Sequence, residues 1–130
     1  MHLKGIHKLM AQYCHLSNES LVHLADIHTL DISHTSITDA GLVYLAGIHT
    51  LDISSCKNVT GSSFHQLHNL SRLNVSNSPI AESGFDALNG LSYVDVSLCQ
   101  LSASCMTSLR RRCGRVIASA ENGPSLVEFA

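Results

Sequence analysis

One heptapeptide recurs along the chain almost without change. Residues 27–33 read Ile-His-Thr-Leu-Asp-Ile-Ser, and residues 48–54 repeat all seven. The pattern returns as Leu-Ser-Arg-Leu-Asn-Val-Ser at 70–76 and as Leu-Ser-Tyr-Val-Asp-Val-Ser at 91–97. Self-similarity at a period of roughly 20–50 residues is the signature of a repeat architecture. We therefore expect a stack of small units in place of a single central core.

Weaker copies extend the pattern at both ends, at 6–12 and at 113–119. The units start near residues 6, 27, 48, 70, 91 and 113, so that neighbouring starts are 21 or 22 residues apart. This spacing predicts one repeat array over residues 1–119. Residues 120–130 follow no repeat, and we expect this tail to cap the last unit through Leu126, Val127 and Phe129.

Each unit combines a strand pattern with a helix pattern. Leu30 and Ile32 alternate as in a strand with one buried face. Leu42 and Leu45 follow, three residues apart, and mark the apolar stripe of a short helix that Thr38 is placed to cap. A single unit cannot bury its own apolar edge, so the units are expected to stack into a solenoid with a parallel sheet along one side. The capping place is also held by Ser17, Thr60 and Ser102.

This pattern resembles the leucine-rich repeat, L-x-x-L-x-L-x-x-(N/C)-x-L. Residues 55–60 and 37–42 are similar to the C-x-x-(I/V)-T-D-x-x-L stretch of its Cys-containing subfamily. The resemblance implies an α/β leucine-rich repeat solenoid: a short right-handed horseshoe segment with a parallel concave sheet and short convex helices. It also implies small inward-turned donors at the Asn/Cys position of each unit. Here that position holds Cys14, Thr35, Cys56, Ser78 and Cys99.

Composition excludes several classes of protein. With 130 residues the chain suits one small domain, and a formal net charge of −2 gives no strong attraction to nucleic acid or to a membrane. No apolar run approaches the length of a transmembrane helix. Phosphate-cradling glycine loops, nucleophile elbows and zinc motifs are absent from the sequence. We therefore expect that the chain is not an enzyme and that it binds no cofactor, no metal and no membrane.

The cysteines and the first residues bear on the compartment. Five scattered cysteines are an odd number, unlike the dense, even set of a small secreted scaffold. Charged and His residues interrupt residues 1–10, which therefore do not read as a secretory leader. These features predict an intracellular, cytoplasmic protein, with the nucleus or an organelle left open.

Strand residues between the buried ones are expected to face the concave side. One exposed column contains Lys8, Thr29, Thr50, Arg72, Tyr93 and Arg115. A second column contains Met10, Asp31, Asp52, Asn74, Asp95 and Ile117. We interpret this polar strip as a partner-binding surface, although such residues also serve as mere solvated filler. The candidate contact residues are Arg72, Tyr93, Asp31, Asp52, Asn74, Asp95 and Arg115, with Arg72 and Tyr93 as anchors.

Two further groups of residues carry charge or metal-ligand atoms: a column of histidines and a run of arginines. His7, His28 and His49 form a row that is too straight for tetrahedral metal coordination, so no metal site is expected. Residues 110–112 are three arginines at the end of a predicted helix: Arg110, Arg111 and Arg112. Cations there complement the helix dipole, and contact with an acidic protein or a phosphate backbone is the functional alternative.

The predicted function is therefore non-enzymatic protein recognition, as an interaction module or as a scaffold subunit of a larger assembly. Binding is expected through the concave face, the rim or the coil ends, and the apolar end coils also favour end-to-end association. The resemblance implies one alternative, the substrate-recognition part of an F-box-type ubiquitin-ligase adaptor. A weaker alternative is an RNA-contacting subunit that uses Arg110–Arg112, since nucleic acid is otherwise an unlikely partner.

Overall fold

The computed structural model describes residues 7–88 and 90–118, and the backbone of residues 128–129. Each unit contributes one strand of two or three residues, followed by a turn and a short helical segment. The strands are β1 Lys8–Met10, β2 Thr29–Asp31, β3 Thr50–Asp52, β4 Arg72–Asn74, β5 Tyr93–Asp95, β6 Val116–Ile117 and β7 Glu128–Phe129.

The helical segments are short because a unit of 21 or 22 residues leaves little chain after its strand and turns. The longest described segment is α3, Ala103–Arg112, with ten residues, and its N-cap Ser102 accepts a hydrogen bond from the Cys105 amide at 3.2 Å. None of the helices in the described ranges is long and apolar enough to cross a bilayer. The segments are η1 Asn18–Leu24, α1 Asp39–Leu42, η2 Val43–Leu45, η3 Phe64–Gln66, α2 Glu82–Phe85 and α3 Ala103–Arg112, where η marks a 3-10 helix.

The sheet runs in chain order, with β1 to β6 parallel and β7 antiparallel to β6. Its register pairs Leu30 with Leu51, Leu51 with Leu73, and Leu73 with Val94. All four side chains are at most 1% exposed, so they form one continuous inner row. The expected α/β repeat solenoid is therefore confirmed. Of the expected cap at 120–130, Leu126, Val127 and the side chain of Phe129 lie outside the described residues.

The units also pack closely at their convex turns. Gly61 has a φ of 98°, a left-handed conformation that glycine adopts without strain. A Cβ added to Gly84, in α2, would lie only 3.0 Å from the Gly61 Cα atom. The third and fourth units therefore meet backbone to backbone here, and Phe64 and Phe85, both almost fully buried, fill the space beneath.

A carboxylate joins the second unit to the third. Asp39 Oδ2 accepts hydrogen bonds from the Thr60 amide at 2.9 Å and from the Thr60 hydroxyl at 2.7 Å. Asp39 Oδ1 accepts from the Gly61 amide at 3.0 Å. Thr60 was expected to cap its own helix, but η3 starts only at Phe64, so Thr60 donates to the preceding unit instead.

The same position makes this connection in two other units. Asn18 Oδ1 accepts from the Thr38 amide at 3.1 Å, and Asn18 Nδ2 donates to the Thr38 hydroxyl at 2.8 Å. Glu82 accepts from both the amide and the hydroxyl of Ser102. Asn18, Asp39 and Glu82 together form what we call the inter-repeat ladder. It satisfies turn amides that a stack of short helices would otherwise leave unpaired.

Candidate functional site

The concave face is the side of the parallel sheet that points away from the core. In β2, β3 and β5 the middle residue is buried, and its two neighbours are half-exposed on the concave face. The register therefore aligns two rows across the strands. The first row contains Thr29, Thr50, Arg72 and Tyr93, and the second, which we call the acidic row, contains Asp31, Asp52, Asn74 and Asp95.

Arg72 and Tyr93 meet on this surface. They are register partners on β4 and β5, and the Arg72 guanidinium carbon lies 5.0 Å from the centre of the Tyr93 ring. This is a cation–π arrangement, which fixes the direction of an otherwise mobile side chain. Val94 on β5 pairs with Val116 on β6, so Arg115 lies beside Tyr93 in the same column. Tyr93 therefore stands between the two arginines. The structure therefore places the two predicted anchors in direct contact.

Each member of the acidic row is tied to the serine two residues further along the chain. Asp31 Oδ1 accepts from the Ser33 amide at 3.0 Å and from its hydroxyl at 2.7 Å. Asp52 accepts the same pair of bonds at 2.9 and 2.7 Å. Asn74 and Asp95 accept the equivalent backbone bond at 3.0 and 2.9 Å. The row thus stabilises the turns that leave the strands, a role that its sequence pattern did not reveal.

These turns pass through the left-handed region at one residue in each of the first five units. Because aspartate, asparagine and serine bond their own backbone two residues on, they favour such turns. Tyr13 and His34, two of the left-handed residues, stack with ring centroids 4.2 Å apart. The left-handed residues are Tyr13, His34, Ser55, Asn77 and Leu98, with φ between 56° and 63°.

Asp52 lies at the centre of the acidic row, and its environment disfavours the charged form. Burial raises the pKa of its carboxyl, and the hydrogen bonds from Ser54 offset this only in part. The charges of Asp31 and Asp95 raise the pKa further. A raised carboxyl pKa in the folded state means that the ionised Asp52 costs folding free energy at neutral pH.

We expect Asp52→Asn to raise the free energy of unfolding at pH 7 by about 0.5 kcal/mol, as like charges on neighbouring strands are relieved. An asparagine keeps the turn bond, as Asn74 shows naturally. The gain is fully present above the folded pKa of Asp52 and vanishes below the unfolded value of about 4. Urea unfolding at pH 7 and pH 3.5, with the exposed Asp26→Asn as control, measures it. A loss of stability at pH 7 would contradict this account.

The inward donors of the Asn/Cys column behave as expected in four units. The Thr35 hydroxyl donates to the Ile32 carbonyl at 2.7 Å. Cys56, Ser78 and Cys99 each donate to the carbonyl of the residue that follows the strand in the preceding unit, at 3.2, 2.9 and 3.2 Å. Cys14 departs from the expectation because it is exposed. It belongs to the first described unit, so the described residues contain no preceding carbonyl for it.

None of the five cysteines forms a disulfide. Burial raises the pKa of the thiols of Cys56, Cys99, Cys105 and Cys113. These four side chains are therefore protonated thiols at neutral pH, whereas a nucleophile or a metal ligand requires the thiolate. Their chemistry is that of small packing residues.

The histidine row is stacked along the strand starts. His28 and His49 have ring centroids 4.4 Å apart, and each Nδ1 atom lies 2.9 Å from the hydroxyl of the following threonine. His7 is exposed at the start of the row. Within residues 7–88 and 90–118 no group of three or more His, Cys, Asp or Glu side chains is arranged to hold a metal ion.

The three arginines at the end of α3 do not share one surface. Arg112 is half-buried, and its Nε donates to the Ser108 hydroxyl at 3.0 Å. Its Nη1 donates to the carbonyl oxygens of Phe85, at 3.2 Å, and of Leu88. Arg112 therefore satisfies carbonyls at the end of α2 and in the turn that follows it, while Arg110 and Arg111 are exposed. The basic cluster predicted from the sequence is thus split between a structural contact and the surface.

Sequence reasoning missed a groove of about 390 Å³ beside the rim, lined by the loops of three consecutive units. The Lys57 ammonium donates to the Asn77 carbonyl at 2.9 Å along its wall. The sequence signal that could have indicated this groove is the extra residue at 57–58 in the third unit, because an insertion alters the stacking of neighbouring loops. The groove is lined by Lys57, Asn77, Ser78, Pro79, Ile80, Leu98 and Gln100.

Comparison with known proteins agrees with this geometry. A family model described as Leucine Rich repeat matches residues 23–46, which span β2, α1 and η2. The matched segment is similar to one leucine-rich repeat, and the chain has the fold of a leucine-rich repeat solenoid. A chain of the crystal structure of the yeast Rad7 and Elc1 complex has a similar fold, with a TM-score of 0.55 and 17% identity. The likeness covers 81% of this chain but only 30% of the yeast chain. No curated protein matches the sequence significantly.

Proposed function

We propose that this leucine-rich repeat chain is a non-enzymatic protein-interaction module that binds its partner through the concave face. The observation that carries the proposal is the Arg72 guanidinium held over the Tyr93 ring on an open parallel sheet. Arginine and tyrosine are enriched among the residues that dominate binding energy at protein interfaces. The fold found in a chain of a crystallised two-protein complex supports the same class of function.

The distribution of polar groups favours a partner-binding surface over a catalytic site. The space between the sheet and the helical turns is filled by the inner row and by the helix leucines, which are almost fully buried. The buried cysteines are protonated thiols, and the concave carboxylates of Asp31 and Asp52 each accept two bonds from a serine. An open sheet face with these side chains offers contact area along its length, as repeat solenoids do.

Two finer roles remain alternatives to a general interaction module. A ubiquitin-ligase adaptor role predicts that the chain's complex also contains a cullin-adaptor protein. An RNA-contacting role predicts binding that falls steeply with salt and depends on Arg110 and Arg111. The inward position of Arg112 leaves the RNA role with two exposed arginines from the predicted cluster, so the concave face is the better supported surface.

The test compares two tyrosines on opposite sides of the solenoid. Tyr93 lies on the concave face, whereas Tyr44 lies in η2 on the convex side and is 39% exposed. We expect Tyr93→Ala to lower partner recovery in affinity capture by about tenfold, because it also releases Arg72, while Tyr44→Ala has no effect. Photo-cross-linking residues placed at 93 and at 44 identify the contacting side. Adducts at 44 but not at 93 would overturn the proposal.

A further inference from the structure

We propose that the concave face selects an extended partner segment that carries both a basic and an acidic side chain, with the basic one over units 2–3 and the acidic one over units 4–6. This inference rests on the proposed function, since it specifies the chemistry of the partner. The surface that it uses has two halves of opposite charge, which the strand register brings side by side.

The first half is negative. Asp31 and Asp52 are register partners on neighbouring strands, both half-exposed. The bonds from each serine reach the Oδ1 atom of its aspartate, and both aspartate side chains remain half-exposed on the concave face. Two carboxylates about 5 Å apart in a sheet repel each other and attract a partner's ammonium or guanidinium group.

The second half carries a net positive charge, because its two arginines, Arg72 and Arg115, outnumber its one carboxylate, Asp95. Arg72 is exposed and lies over the Tyr93 ring, and Arg115 stands in the same column one strand beyond. Asn74, which takes the acidic-row position on the strand of Arg72, replaces a carboxylate by a neutral amide. The negative charge of the row is therefore interrupted beside Arg72, which leaves the guanidinium a suitable partner for a carboxylate.

The spacing of the two halves limits the partner sequence. Neighbouring strands are about 4.8 Å apart, and two residues along a strand span about 6.6 Å. These values place Asp52 about 8 Å from Arg72, and about 16 Å from Arg115 three strands away. An extended peptide advances about 3.3 Å per residue. The basic and acidic side chains of the partner are therefore expected two to five positions apart.

The placement of charges on this surface is expected to discriminate between partner segments more than it strengthens their binding. Exposed ion pairs contribute little by themselves, so the acidic row alone does not hold a partner. A uniformly acidic segment is repelled by Asp31 and Asp52, and a uniformly basic one by Arg72 and Arg115, so each half excludes partners that the other would accept. The tyrosine beneath Arg72 supplies the apolar contact area on which the segment rests.

The experiment selects peptides on the full chain from a displayed library of random 12-residue sequences, and then measures their binding by fluorescence polarisation. We expect enriched peptides to contain a basic and an acidic residue two to five positions apart. Arg72→Ala is expected to weaken their binding by about tenfold and Asp52→Asn by about threefold. Because Asp52→Asn is expected to stabilise the fold, its loss of binding separates recognition from stability. Tyr44→Ala is the control that leaves binding unchanged.

Three results would overturn the inference. Enriched peptides of one charge sign, enriched peptides that bind Arg72→Ala and Asp52→Asn as well as the original chain, or no enrichment at all would each do so. The proposed function has a separate readout, because the cross-links at position 93 report concave binding of the natural partner whatever its charge. Cross-links at 93 together with peptides of a single charge sign would leave the function standing and remove only this inference.

Discussion

Replacing Leu73 by alanine is expected to lower the free energy of unfolding by about 3 kcal/mol. Leu73 is 1% exposed and stands in the inner row between Leu51 and Val94. Each unit buries its apolar edge only against its neighbours, so a cavity in β4 weakens the contact on both sides. The measurement is urea unfolding followed by circular dichroism.

The adjacent residue gives the matched control for this substitution. Arg72 precedes Leu73 on the same strand but faces solvent, so Arg72→Ala removes side-chain atoms at nearly the same backbone position. We expect Arg72→Ala to cost about 0.5–1 kcal/mol, the contribution of an exposed cation–π contact. Equal losses for the two variants would contradict the assignment of Leu73 to the inner row.

Replacing Asp39 by alanine is expected to lower the free energy of unfolding at pH 7 by about 2 kcal/mol, because turn amides of the next unit lose a charged acceptor. The carboxylate accepts from the amide and hydroxyl of Thr60 and from the amide of Gly61. Burial by itself would raise the pKa of the Asp39 carboxyl, but these hydrogen bonds outweigh it and hold the pKa below its ordinary value. The ionised form is therefore the one that stabilises the fold.

The pH dependence follows from this direction of the shift. A carboxyl with a lowered folded pKa contributes stability that is present above the unfolded value of about 4 and is lost as the pH falls through the folded value. The cost of Asp39→Ala is expected to be full at pH 7 and to shrink below pH about 4. The ionised carboxylate of Asp39 therefore raises the free energy of unfolding, whereas that of Asp52 lowers it.

Two variants control the interpretation of Asp39→Ala. Asp39→Asn keeps one acceptor and adds a donor, the arrangement with which Asn18 bonds both groups of Thr38. It is expected to lose about 1 kcal/mol, roughly half the cost of the alanine variant. Asp26→Ala removes an equal charge from an exposed position and is expected to have little effect. A cost for Asp39→Ala that is unchanged at pH 3 would contradict a role for the ionised carboxylate.

The residues that stabilise the fold and the residues proposed to bind a partner lie on different sides of the solenoid. The inter-repeat ladder of Asn18, Asp39 and Glu82 lies at the convex turns, where its members bind amides of the next unit. The contact between Arg72 and Tyr93 lies on the concave face. Variants of the inter-repeat ladder are therefore expected to act mainly on the free energy of unfolding, and variants of the Arg72–Tyr93 contact mainly on partner binding.

The sequence alone determined the repeat, the strand positions and the inner row. Leu30, Leu51 and Leu73 recur at 21 or 22 residues, and a hydrophobic pattern of fixed phase admits only one way to bury every unit against the next. The same phase placed Arg72 beside Tyr93, because register follows from the buried positions. Periodicity also identified Thr35, Cys56 and Ser78 as inward donors once the resemblance was stated.

Only the tertiary structure decided which polar groups bond to each other. Thr60 was read as the cap of its own helix, yet it donates to Asp39 of the preceding unit. Arg112 was read as part of a basic cluster at a helix end, yet it binds carbonyls of the preceding unit. Hydrophobic phase is a local property of the chain. A hydrogen bond between units 20 or more residues apart depends instead on how the turns stack in space, and no local pattern encodes that distance.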